Sequence, residues 1–199
     1  MADGGEGTVD AFLAALGGEK IPVSCRDPYG RAITACYGLL PDGGTAVIEM
    51  AAAAGLPLVG DDRRAADATT YGVGQLMAHA LERGAKRIVL GLGGSATNDG
   101  GCGAAAALGV KFLDEADRAF VPVGGTLHRI ARIRTELPEK FGVPRQSGLV
   151  PQLRGTIVFE PAYRNPDALR GLEGFSHLWL IFQFHQAVRE GWSPTVRPP

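Results

Sequence analysis

Two short stretches combine glycines with polar or acidic side chains in a way that suits charged oxygens: GGSATNDGG at residues 93–101 and ADGGEGT at residues 2–8. Backbone without Cβ atoms can turn its N–H groups inward and form an anion-binding concavity, above all where a loop runs into a helix. Phosphate is the guest that the first stretch suggests. In the second, Asp3 and Glu6 stand at the mouth of a loop that leads into a helix. Acids there can bind Mg²⁺ on a nucleotide, or one of them can take a proton from a substrate hydroxyl. They can equally do no more than favour a helix N-terminus.

The elements that must hold these loops follow from hydrophobic patterning. Ile88, Val89, Leu90 and Leu92 make the short apolar run of a buried parallel strand, and Ala104–Leu108 carry strong helix formers. A P-loop needs G-x-x-x-x-G-K-[ST], and this turn contains no lysine. Gly91, Gly93 and Ala96 satisfy the dinucleotide fingerprint G-x-G-x-x-[GA], with Asp114 and Glu115 further on. That reading puts Asn98, Asp99, Gly100 and Gly101 inside a helix, at roughly 1 kcal/mol for each interior glycine. The reading without that cost lets the loop run to Gly101 or Gly103, with Asp99 at its tip.

Around this centre, Thr8 can cap a helix whose face carries Val9, Phe12, Leu13 and Leu16, and Gly17 stops it. Residues 20–49 alternate as a three-stranded meander with turns at DPYG and PDGG. Glu49 ends its last strand, beside the small-residue helix Ala51–Ala54; it belongs either to a site at the strand's carboxyl end or to a solvated strand end. A helix after Tyr71 carries Val73, Leu76, Met77, Ala80 and Leu81 inward, and His79 falls on its other, surface face. Helix, strand, loop, helix and a further strand at Val110–Leu113 form half of a parallel α/β arrangement, with the meander attached.

The chain has 199 residues, 45% of them hydrophobic and 21% charged, with a formal charge of −1, which is the composition of a globular protein of one or two domains. No basic or apolar leader and no long apolar run is present, so a cytoplasmic location is expected. Cys25, Cys36 and Cys102 form no C-x-x-C pair and read as reduced thiols. Near residue 133 the character changes without a flexible linker. Residues 134–199 hold eight basic and six acidic residues and both tryptophans, Trp179 and Trp192. This tail reads as a strand TIVFE (156–160), a helix that Asn165 can cap, and an apolar strand HLWLIFQF (177–184) that ends at His185 and Gln186.

GGSATNDGG, MADGGEGT, TAVIEMAAAAGL (45–56) and TTYGVGQL (69–76) together resemble the bacterial glycerate kinase family over residues 1–133, as a central piece of its pattern. The family commonly has TTYGTGEL where this chain places Val73 and Gln75. The resemblance implies an open mixed sheet with helices on both faces, and transfer of the γ-phosphoryl of ATP to a glycerate hydroxyl with Mg²⁺. Carried over by motif, Gly93, Gly94, Ser95, Thr97, Asn98 and Glu6 would hold phosphate or substrate, and Asp99 and Asp3 would serve as metal ligand or base. IRTELPEKFGVPRQSGL, RNPDALRGLEGFSHLWLIF, FHQ and WSPTVRPP resemble the beginning of the TsaA-like (TrmO) tRNA methyltransferases over residues 133–199. That likeness implies a partial β-barrel, S-adenosylmethionine as methyl donor and tRNA as partner. Pro144, Arg145, Gln146, His185 and Gln186 would line the cofactor pocket. The expected organisation is a kinase-like fragment, residues 1–133, joined to a methyltransferase-like fragment, residues 134–199, each incomplete relative to its family.

Overall fold

A computed structural model of the chain describes residues 4–134 and 156–158. Its main sheet has the strand order β1-β2-β3-β4-β8, with β1 at Glu19–Arg26, β2 at Ala32–Leu39, β3 at Thr45–Glu49, β4 at Arg87–Gly91 and β8 at Thr156–Val158. The first three strands form the expected antiparallel meander. β1 lies at the sheet edge, which is where a sheet tolerates the missing N–H of Pro22. The sheet turns parallel at β3–β4, with Thr45 opposite Arg87 and Glu49 opposite Gly91. This register brings Glu49 level with the start of the glycine loop.

Helices cover both faces of this mixed α/β sheet. Val47 and Val89 pack against Val9, Phe12 and Leu13 of α1 (Thr8–Leu16) on one face. Ala46, Ile48 and Ile88 point the other way, into the larger core with Ala53 and Ala54 of α2 (Ala51–Ala54) and Val73, Leu76 and Ala80 of α4 (Tyr71–Glu82). The alternation follows from the period-2 direction of strand side chains, and it explains why the three central positions of β3 and of β4 are all apolar. A short helix α3, Leu56–Val59, follows α2. α4 runs alongside α5 (Cys102–Ala107) at very short range: a Cβ on Gly74 would lie 2.4 Å from the carbonyl oxygen of Ala104. Only glycine permits that approach.

Several expectations need correction. The N-cap of α1 is Gly7 (φ 88°), so Thr8 is the first helical residue and its hydroxyl accepts a hydrogen bond from Gly4 N at 3.1 Å. Leu16, assigned to the inward face, is 57% exposed. His79 is half-buried, with its ring edge-on to the fully buried Tyr37 and Nδ1 3.3 Å from the tyrosine hydroxyl. The strand after α5 does not join the main sheet. β5 (Lys111–Leu113) instead pairs antiparallel with β6 (Ala119–Phe120) and β7 (Arg132–Arg134) in a separate three-stranded sheet. A crossover between parallel strands must return the full length of a strand. The six residues of α5 rise only about 9 Å, against about 16 Å for a five-residue strand.

In the tail, Thr156–Val158 is a strand as expected, but it lies parallel to β4 and extends the main sheet. The expected partial β-barrel otherwise falls outside the described residues. Among the described residues, no helix is long and apolar enough to cross a membrane.

Candidate phosphate-binding site

The two glycine stretches lie directly against each other. Gly93 N donates to the carbonyl of Gly4 at 2.8 Å. A Cβ on Gly93 would stand 2.6 Å from Gly5 N, and one on Gly91 would stand 2.5 Å from Gly4 O. These contacts are backbone on backbone, so any side chain at Gly91 or Gly93 would push the loops apart. The 91–96 loop is fastened on its other side as well. Gly91 O accepts from Met50 N at 2.7 Å, Gly94 O accepts from Leu56 N at 2.9 Å, and Ala96 N donates to Ala54 O at 2.8 Å.

This fastening leaves a specific pair of groups over. No described residue accepts a hydrogen bond from Gly94 N or Ser95 N, two successive N–H groups on a turn where Gly94 takes a left-handed φ of 70°. Successive N–H groups in such a turn form an anion-binding nest. The carboxylate of Glu6 stands over the same turn, with both oxygens 2.9 Å from where a Cβ on Gly94 would be. A bare phosphate there meets a like charge, which a divalent cation relieves. Mg²⁺ on a nucleotide takes one or two protein carboxylates and completes its shell with phosphate and water. Glu6 suits that arrangement, and no group of three His, Cys, Asp or Glu side chains that could hold a metal exists among the described residues.

Asp99 lies behind this turn and is fully buried. Its Oδ2 accepts from Thr70 N at 2.8 Å, Thr70 Oγ1 at 2.9 Å, Gly103 N at 3.1 Å and, at longer range, Thr69 Oγ1 at 3.4 Å. Its Oδ1 accepts from Gly101 N at 3.0 Å. The Thr70 hydroxyl in turn accepts from Ala104 N at 2.9 Å. Asp99 and Thr70 therefore clamp the start of α5 to the start of α4. Glu49 does the same for α1, its Oε1 accepting from Val9 N at 2.6 Å. Beside Asp99, burial and then the Asp99 charge push the Cys102 thiol up to about 12 from its ordinary 9.0.

The glycerate kinase family model matches residues 1–142, about seven-tenths of the chain. The chain belongs to the glycerate kinase family. It is 48% identical over 134 residues to the glycerate kinase of Bacillus subtilis, covering 67% of this chain and 35% of that one. It is 42% identical over 159 residues to the glycerate 2-kinase of Escherichia coli, covering 79% and 39%. The solved structure of glycerate kinase 2 from Salmonella typhimurium superposes with a TM-score of 0.66 at 42% identity, over 69% of this chain and 37% of that one. The chain thus spans little more than a third of the length of these glycerate kinases. A second family model, the tRNA-methyltransferase O N-terminal domain, matches residues 132–199. Over 71 residues the chain is 54% identical to the tRNA (adenine(37)-N6)-methyltransferase of Escherichia coli, covering 36% of this chain and 30% of that one. The two family matches overlap at residues 132–142, where β7 begins.

The residues singled out by the glycerate kinase motifs separate into two sets. Gly93, Gly94, Ser95 and Glu6 gather at the contact between the loops. Thr97 is buried and its hydroxyl lies 3.0 Å from that of Ser95; both line a cavity of about 280 Å³. Asn98 is exposed and packs over Gly124, whose Cβ position its Oδ1 would occupy at 1.9 Å. Asp3, Pro144, Arg145, Gln146, His185 and Gln186 lie outside the described residues. Sequence reasoning gave no role to Thr70, whose N–H and hydroxyl hold Asp99, although it stands in TTYGVGQL immediately before a helix. A larger cleft of about 450 Å³, formed by Asp114, Glu115, Arg118, His128 and Arg129, lies away from these loops. In it, Arg118 pairs with Asp114 at 2.9 Å.

Proposed function

We propose that residues 4–134 carry the phosphate-handling part of a glycerate kinase site, transferring the γ-phosphoryl of ATP to a glycerate hydroxyl. The observation that carries this reading is the backbone contact of the two glycine loops, with the N–H groups of Gly94 and Ser95 left over and Glu6 beside them. Phosphoryl transfer asks little covalent chemistry of a protein; it needs positioned oxygens and neutralised charge. Mg²⁺ supplies that neutralisation when it accompanies the nucleotide. Glu6 and Asp3 are the carboxylates that would hold it, and Asp3 is the candidate to receive the hydroxyl proton. Gly93, Gly94 and Ser95 would hold phosphate oxygens through backbone N–H groups, and the Thr97 hydroxyl and the Asn98 amide would orient substrate. Asp99, sealed from solvent and engaged by five donors, is read as the residue that positions the loop.

The test is binding and turnover by the whole chain. Mg²⁺-dependent protection of the fold by ATP, together with ATP-dependent formation of phosphoglycerate that is lost in Glu6→Gln, supports the reading. A chain that ATP neither stabilises nor labels overturns it.

A second reading rests on the 54% identity of residues in the tail to a tRNA (adenine(37)-N6)-methyltransferase. Residues 134–199 would then form a separate unit that binds S-adenosylmethionine through Pro144, Arg145, Gln146, His185 and Gln186 and acts on tRNA. Arginine suits a carboxylate or a stacked adenine, and histidine or glutamine can read adenine edges. Transfer of a labelled methyl group to tRNA, absent in Arg145→Ala, would support it. A chain that takes up no label overturns it.

A further inference from the structure

The cavity of about 280 Å³ beside the phosphate loop has an electrostatic character that the glycine motifs do not explain. Ser95, Thr97, Tyr29 and Arg63 line it together with the apolar Leu56 and Val59, and no carboxylate is among its described lining residues. The arginines nearby are engaged elsewhere. Arg31 Nε pairs with Asp27, and Arg64 pairs with Asp62 at 2.9 Å and Asp67 at 3.0 Å while lying 4.7 Å from the centre of the Tyr29 ring. The Tyr29 hydroxyl is likewise taken, donating to the carbonyl of Asp62 and accepting from Arg64 N at 2.9 Å. Arg63 is the exception. Its backbone N–H bonds to Asp61 O at 3.1 Å, but its guanidinium has no ion-pair or hydrogen-bond partner among the described residues.

We infer that this cavity takes the carboxylate end of a small hydroxy acid, with Arg63 as its charged partner and the Ser95 and Thr97 hydroxyls on the acid's oxygens. The assignment rests on the kinase reading above and names where the acceptor substrate sits. At about 280 Å³ the cavity has room for a three-carbon acid. A guanidinium presents paired donors that match a carboxylate's two oxygens, whereas an ammonium offers a single point of charge. Ser95 belongs to both parts of the site: its N–H is one of the two left over on the loop, and the residue also lines the cavity. An acid held at Arg63 therefore presents its own hydroxyl toward the phosphate loop.

The experiment is calorimetric titration of the whole chain, and of Arg63→Met and Arg63→Lys, with glycerate, glycerol, inorganic phosphate and, separately, ATP with Mg²⁺. Arg63 is exposed, so both variants should keep the parent's denaturation midpoint and ATP affinity. The inference expects glycerate to bind the parent, glycerol not to bind, and Arg63→Met to lose at least about tenfold in glycerate affinity with Arg63→Lys between them. Equal glycerate affinity in parent and Arg63→Met overturns it, as does phosphate binding as tightly as glycerate. A parent that binds ATP but not glycerate overturns this inference and leaves the nucleotide reading standing. A parent that binds neither removes both.

Discussion

Asp99→Asn separates a structural clamp from a chemical group. Asparagine keeps one acceptor oxygen and replaces the other with an NH₂ donor. Placed where it loses least, the remaining oxygen takes the Oδ2 position, facing Thr70 N, Thr70 Oγ1 and Gly103 N. The NH₂ then points at the N–H of Gly101, which the carboxylate had held at 3.0 Å. Three charge-assisted bonds become neutral ones, a loss of about 1 kcal/mol each, and one N–H loses its acceptor at about 1–3 kcal/mol. Relief from burying a full charge opposes this, and water reaching the half-buried Gly101 softens it. The net expectation is a destabilisation of roughly 2–4 kcal/mol, or a fall in Tm of roughly 5–15 °C. Urea denaturation of parent and variant, followed by far-ultraviolet circular dichroism, measures it directly. An unchanged midpoint with abolished turnover would refute the clamp and return Asp99 to the chemistry.

Gly93→Ala puts a methyl group 2.6 Å from Gly5 N, so ATP affinity should fall steeply while the variant loses about 1–3 kcal/mol of stability; equal ATP binding in a thermal-shift titration would contradict the loop contact. Because the Cys102 thiol is held near 12 in the folded chain against an ordinary 9.0, the unfolded chain loses its proton first as pH rises. Stability should therefore decline between about pH 9 and 12, less so in Cys102→Ser, as read from denaturation midpoints at stepped pH. Asp114 is held below its ordinary 3.8, first by the backbone N–H of Arg118. Its contribution is present above that pH and disappears as the medium is acidified past it, and acid titration of Asp114→Asn should show a shallower loss.

Local structure around the site was legible because each element announces itself over consecutive residues. Alternation marked the meander, the apolar run marked β4, and the cost of burying Gly100 and Gly101 in a helix argued for a long loop, which the start of α5 at Cys102 bears out. What failed depended on residues distant in the chain. The parallel placement of β5 followed from counting elements, but α5 is too short to span the crossover. Glu49, left open between a site and a solvated strand end, is half-buried and accepts from Val9 N, a partner 40 positions away that the packing of α1 on β3 supplies. Arg63 sits in a run of charges, DDRR, that reads as a solvated face; its selection rests on its neighbours being paired and itself not.

The same pairing decides where an anion can bind. A glycine loop before a helix suggests that the helix N-terminus supplies the positive end. Here that end is already satisfied. The first N–H groups of α5 go to Asp99 O, Asp99 Oδ2 and the Thr70 hydroxyl, and those of α1 go to Gly5 O and Glu49 Oε1. Two buried or half-buried acids thus occupy the positions at which a phosphate would meet a helix dipole, and an incoming anion would face their charge. The N–H pair of Gly94 and Ser95, earlier in the loop, has no acceptor among the described residues and remains for it. On this geometry, phosphate affinity depends on the angle of the loop more than on either helix. A substitution that loosens Thr70 or Glu49 should therefore weaken nucleotide binding without touching a single atom of the nest.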